Sequence, residues 1–170
     1  NPLTSEMIKD IMDWVEENGD QSPLMVGRLL ENLFKHPGMS KEMIEDALKK
    51  EQDPEVYRSI LLNPNAPEEF LMKVYFGNLI LPFDGDEIAA VLASPNVPVG
   101  LLNTEASKYA AVEPSDSEAL GRYRDGGKMR ARRAREVLMS SNVTEEIFNK
   151  VARLENGEVD LNRRLVADAL

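Results

Sequence analysis

The sequence predicts an all-α protein in which about five helical pairs stack as a right-handed α-α superhelix, a solenoid. Three observations carry that prediction. A turn-and-cap motif recurs along the chain, an apolar stripe of 3.6-residue period follows each copy, and no stretch of strand length alternates apolar with polar side chains. A chain of 170 residues, 42% of them apolar, suits one domain, since domains usually run to roughly 100–200 residues. The expected organisation is a single helical-repeat domain over residues 1–170, with an irregular insertion at about 103–127.

The motif appears without gaps at His36-Pro37-Gly38-Met39-Ser40, Asn63-Pro64-Asn65-Ala66-Pro67, Ser94-Pro95-Asn96-Val97-Pro98 and Ser140-Ser141-Asn142-Val143-Thr144. Leu3-Thr4-Ser5 repeats its second half. Successive copies, counted from Thr4, Ser40, Pro67, Pro98 and Thr144, lie 36, 27, 31 and 46 residues apart, a basic unit near 30 with insertions. Pro or Gly beside Asn supplies a turn, and the small or polar residue that follows the apolar position is where a helix N-cap belongs. Pro67 and Pro98 are expected at the first helical position, where a missing N–H has no intrahelical partner to lose.

Glu42, Glu68, Glu69, Glu145 and Glu146 then fall in first turns, where the helix dipole favours acids. Stripes such as Ile8, Ile11, Met12 and Val15, or Phe70, Leu71, Val74 and Tyr75, define the first helix of each pair. Second helices are expected at Pro23–Lys35, Pro54–Leu62, Asp86–Ala93, Gly127–Met139 and Asp160 onward, with Ser22, Asp53 and the Asp84-Gly85-Asp86 run as caps. No single pair buries its own stripe, so the pairs must stack.

Units such as Leu61-Leu62-Asn63-Pro64-Asn65-Ala66-Pro67-Glu68-Glu69-Phe70-Leu71 resemble the leucine-rich repeat variant family, grouped with HEAT-like helical solenoids. Asp53-Pro54-Glu55-Val56-Tyr57-Arg58 and Asp160-Leu161-Asn162-Arg163-Arg164-Leu165 resemble the Asp-x-x-Val-Arg start of HEAT-like helices. The units are longer and more irregular than the short variant repeats, which favours the broader HEAT-like grouping. The resemblance implies a non-enzymatic binding scaffold with an extended groove. The iron–sulfur cluster of one relative does not transfer, because this chain has no cysteine.

The absence of cysteine also excludes disulfides and thiolate catalysis. No Gly-x-Ser-x-Gly elbow, phosphate-binding Gly-rich loop or His-Glu-x-x-His motif is present. The single His36 occupies a turn position and is read as a turn residue. Asp84-Gly85-Asp86-Glu87 begins like a calcium loop, but Ile88 takes the next ligand position, so it reads as an acidic helix start. No enzyme, cofactor or metal is expected. The longest apolar run, Leu79–Phe83, is broken by Pro82 and far short of a membrane span of about 20 residues. With no signal-peptide core visible, a cytoplasmic setting is the expectation.

The formal net charge is −10, unevenly spread. Residues 61–120 hold 2 basic against 9 acidic side chains, whereas 121–170 hold 11 against 8. The reversal is concentrated in Arg122, Arg124, Lys128, Arg130, Arg132, Arg133 and Arg135, opposed locally by Asp125 alone. These seven are the candidate binding residues. On a helix, Arg132 and Arg135 share a face with Lys128, while Arg130 and Arg133 lie on another. The planar guanidinium fork serves carboxylates and phosphates alike, so the segment either pairs with neighbouring repeats or takes an external anion. Asp125-Gly126-Gly127-Lys128 reads as a hinge between helices.

The function these observations favour is a scaffold that binds a protein or peptide partner along a groove; the acidic body favours a partner of basic character. The alternative is nucleic-acid or phosphate binding through 122–135, as in a HEAT-like DNA-binding or glycosylase-like protein, which needs a basic groove that the rest of the chain does not offer. The methionines at helical spacing (Met7, Met12, Met25, Met39, Met43 and Met72) are expected mostly in the core, and Trp14, Tyr57 and Tyr75 in core or groove. The apolar stripe of Leu165, Val166 and Leu170 predicts either a longer array or self-association through the solenoid ends.

Overall fold

The computed structural model describes residues 3–19, 22–50, 52–79, 81, 86–110 and 124–152. Among them the extended regular elements are all α-helical and no strand occurs. The helices are α1 (Ser5–Asn18), α2 (Pro23–Lys35), α3 (Lys41–Leu48), α4 (Pro54–Leu61), α5 (Glu68–Tyr75), α6 (Glu87–Leu92), α7 (Val99–Ala110), α8 (Arg124–Met139) and α9 (Glu145–Ala152). The protein is therefore all-α, and it divides into two compact units, Asn1–Asp84 and Gly85–Leu170. The expected helix from Asp160 and the Leu165, Val166 and Leu170 stripe lie outside the described residues.

Side-chain caps explain four of the helix starts. Thr4, Ser40 and Thr144 accept the backbone N–H of Met7, Met43 and Ile147 through their hydroxyls at 3.3, 3.2 and 3.3 Å, satisfying donors that the first helical turn leaves without partners. Asp86 does the same for Ala89 at 3.2 Å. Ser22 and Asp53 make no such bond; Pro23 and Pro54, in the first turn, bring fixed φ and one fewer orphan donor instead. Pro67 and Pro98 sit one residue earlier than expected. Each precedes its helix, and its carbonyl accepts the first helical N–H, from Leu71 and Leu102 respectively.

The helix α5 ends on a glycine for a physical reason. Gly77 has φ +71°, its N–H donates to Val74, and Asn78 N–H donates to Lys73 at 2.9 Å. That 6→1 and 5→2 pair is a Schellman ending, which demands a left-handed residue where glycine alone escapes a Cβ clash. Beyond it Leu81 turns into the core while Phe76 stays exposed, so this apolar loop is partly tucked and partly presented. The α8 helix begins at Arg124 and is continuous through Gly126 and Gly127; the hinge expected there is absent. The expected insertion likewise shrinks at both ends, since α7 runs to Ala110.

The recurring motif forms one structure four times. Its first residue accepts, through its side chain, the N–H two residues on: Gly38 to His36 Nδ1 at 3.0 Å, Asn65 to Asn63 Oδ1 at 2.8 Å, Asn96 to Ser94 Oγ at 3.3 Å and Asn142 to Ser140 Oγ at 3.3 Å. The carbonyl of the same residue accepts from the third residue on, at 3.0 to 3.2 Å. Asn, Ser and His thus play one role, mimicking a backbone turn with a side-chain acceptor.

In the first unit, α2 packs on α4, around Phe34, Ile60, Val56 and Leu71, all essentially buried. Its two turns are tied together by asparagine. Asn65 Nδ2 donates to the carbonyls of Pro37 and Met39 at 3.0 and 2.8 Å, and the buried Asn63 donates to those of Phe34 and His36 at 2.6 and 3.0 Å. Ser5 Oγ reaches the remaining turn carbonyl, Gly38, at 2.9 Å.

In the second unit α6, α7 and α9 pack on α8, and α9 also packs on α7, burying Val91, Leu92, Leu102 and Val137. The same clamp appears: Asn142 Nδ2 donates to Pro95 and Val97 at 2.9 and 3.0 Å. Lys150 Nζ adds a bond to Asn103 Oδ1 at 2.6 Å.

Candidate binding surfaces

The methionines expected in the core are largely outside it. Met39 is fully buried, but Met7, Met25 and Met72 are 47%, 65% and 40% exposed, and Trp14 is 50% exposed. Two apolar stripes compete on α1: Ile8 and Val15, one full heptad apart, turn inward, and Met7 and Trp14 one residue behind them are left outside. Exposed methionine is common where a surface must adapt to a partner.

The first unit holds an open groove of about 760 Å³ between α3 and α5, with Tyr57 of α4 behind it. Its apolar side consists of Leu48, Tyr57, Phe70, Met72 and Leu79. Tyr57 and Phe70 stack with ring centroids 6.3 Å apart, and Tyr57 is further fixed by its hydroxyl, which accepts the Gln52 N–H at 3.1 Å. Tyr75, by contrast, is buried. The groove's rims are charged and mostly matched, Lys41 pairing with Glu45 at 3.7 Å and Lys73 with Glu69 at 3.2 Å, while Glu68 forms no ion pair among the described residues. Lys49, on the same rim, pairs with Asp46; the contact holds the Asp46 carboxyl below the usual carboxylate range and the Lys49 ammonium above its usual value.

The second unit holds the basic helix. Arg133 is turned to an internal partner, its Nε 2.6 Å from Asp86 Oδ2, with the Asp86 side chain 3% exposed. The other Asp86 oxygen caps α6, so one buried carboxylate serves a helix start and a guanidinium together. Arg132 and Arg135 are exposed and form no ion pair among the described residues. Arg124, Lys128 and Arg130 belong to α8, with side chains outside the described residues; Arg122 lies outside them altogether. Close to the end of α8, Met139 and Glu136 line a hollow of about 200 Å³ with Ala93, Ser94, Pro95, Ser140 and Ser141.

Elsewhere in this unit Glu105, 2% exposed, accepts from Lys108 at 2.9 Å. No group of three or more His, Asp or Glu side chains able to hold a metal occurs among the described residues. No helix among them is long and apolar enough to cross a membrane.

The segment 122–135 was the only site legible from charge. The Asn65 and Asn142 clamps were not foreseen, although Asn at the third place of three of the four turn motifs was the available signal. Asp86 as partner of Arg133 and the Tyr57–Phe70 groove were also missed, and no local pattern announces either. Neither a protein-family model nor a curated protein nor a solved structure matches the chain.

Proposed function

We propose that the chain is a non-enzymatic scaffold of the HEAT-like helical-repeat type, its pairs stacked as a right-handed α-solenoid, that holds a protein or peptide segment in the groove between α3 and α5. The observation that carries this reading is the groove itself: an apolar side built on a stacked Tyr57–Phe70 pair, with rim charges other than Glu68 already matched by nearby partners. Pockets that bind ligands span roughly 300–1,000 Å³ and are mainly apolar with few polar groups, a range that includes this one. Rims matched except at Glu68 leave little charge to discriminate, so selectivity falls mainly to the shape of the apolar side chains presented. The repeated turn, clamped by asparagine in both units, supports the repeat architecture.

Selection of a random peptide library on the full chain tests the proposal. Peptides so enriched lose at least tenfold in affinity when Met72→Glu places a charge on the apolar side, a change that exposed Met72 accommodates without refolding. Enriched peptides that bind Met72→Glu as tightly as the parent chain, or a selection that yields none, would dismiss the groove.

A further inference from the structure

We propose that the exposed face of α8 binds a short acidic segment carrying one apolar side chain, with Arg132 and Arg135 taking its carboxylates and the hollow beside Met139 taking the apolar group. Arg132, Arg135 and Met139 stand at i, i+3 and i+7, one face of the helix, and all three are exposed. Both guanidinium groups lack an ion-pair partner among the described residues, whereas Arg133, one residue on, is paired to Asp86. A solvated face has no need of methionine, and Met139 is 56% exposed. Arginine and methionine together, next to a hollow, are the composition of an interface rather than of a bare surface.

The spacing states what fits. At a rise of about 1.5 Å per residue, Arg135 lies about 6 Å and Arg132 about 10.5 Å along the axis from Met139. An extended peptide advances about 3.3 Å per residue with alternate side chains on opposite faces, so acids two and four residues from the apolar anchor share its face, about 6.6 and 13 Å along, within reach of the long side chains of Arg135 and Arg132. Position 128 follows in the same helical register. Charge decides between anionic partners. The chain carries −10 overall, a field that opposes a polyphosphate over its length but is screened beyond about 10 Å, leaving a few carboxylates free to pair locally. No aromatic platform for bases stands among Arg132, Arg135 and Met139. The proposal is independent of the groove in the first unit, which the variants below do not touch.

Fluorescence anisotropy of the full chain with a labelled octapeptide, bearing two glutamates two and four residues before a leucine, tests it. Saturable binding is expected, weakened at least tenfold by glutamine in place of both glutamates and at least fivefold by serine in place of the leucine. Arg132→Glu with Arg135→Glu abolishes it. Arg132→Lys with Arg135→Lys, which keeps charge and fold but loses the paired donors, weakens it severalfold. Circular dichroism of each variant confirms that helicity is retained. Absence of saturable binding, binding that both double variants leave within twofold, or tighter binding of a labelled oligothymidylate would overturn the proposal. So would a mass increase in light scattering without peptide that Arg132→Glu removes, since the face then belongs to a second copy of the chain.

Discussion

Glycine 38 shows how strongly one residue is specified by neighbours distant in sequence. A Cβ there would meet the Leu3 carbonyl at 2.8 Å, His36 Nδ1 at 2.9 Å and Ile8 Cδ1 at 3.0 Å, a carbonyl just before α1, one polar atom of the turn and one core methyl. The other copies of the motif carry asparagine at this place; here the start of α1 occupies that space, and Ser5 bonds the carbonyl of Gly38 in place of an incoming side chain. Gly38→Ala is therefore expected to destabilise by about 1–3 kcal/mol, as overpacking does. Gly27, inside α2 with nothing within 4 Å of its Cβ position, provides the opposite case. Gly27→Ala should stabilise by about 0.5–1 kcal/mol through helix propensity. Urea midpoints of the two variants, moving in opposite directions, check both.

At the level of elements, a cap in sequence and a cap in structure are not the same thing. Ser22 and Ser40 look alike before a helix, yet only Ser40 accepts an N–H. Ser40→Ala is expected to destabilise by about 1 kcal/mol, while Ser22→Ala should change thermal stability little; equal losses would contradict the assignment. Helix positions were readable because their determinants are local. Pro23–Lys35 has the bounds its proline, stripe and following turn predict, and α3 starts where Ser40 places it. Facing was harder. The two apolar stripes of α1 cannot be ranked by periodicity, since what buries Ile8 and leaves Met7 outside is the approach of a turn some thirty residues away. Arg133 is similar: nothing between 121 and 135 announces Asp86, 47 residues earlier.

Across the whole molecule, the asparagine clamps are the long-range bonds the repeat depends on. Each Nδ2 of Asn65 and Asn142 fills two turn carbonyls that have no helical partner. Removing such a donor leaves those acceptors to water or to nothing, at about 1–3 kcal/mol where they are buried. Asn65→Ala and Asn142→Ala should each lower the urea midpoint by a corresponding amount with the slope unchanged, and Asn65→Asp should do at least as much harm, because a carboxylate presents acceptors to acceptors. A variant of either kind with an unshifted midpoint would show that the clamps follow the packing rather than support it. The all-helical class was legible from the repeat, but the clamps themselves were not, since a motif aligned with its copies does not say which copy it touches.

The two clamps also bear on how such a chain tolerates change in length. One joins residues 28 positions apart and the other residues 47 apart, with the same atoms at closely similar distances. Closing the longer loop costs only about 0.5 kcal/mol more than the shorter, since the entropy of closure grows with the logarithm of length. A pair of hydrogen bonds outweighs that difference. Stretches of sequence between clamps are accordingly free to lengthen or shorten by whole helices' worth of residues while the turns stay in register, so it is in those intervening stretches, and not in the turns, that the protein has room to acquire new surface.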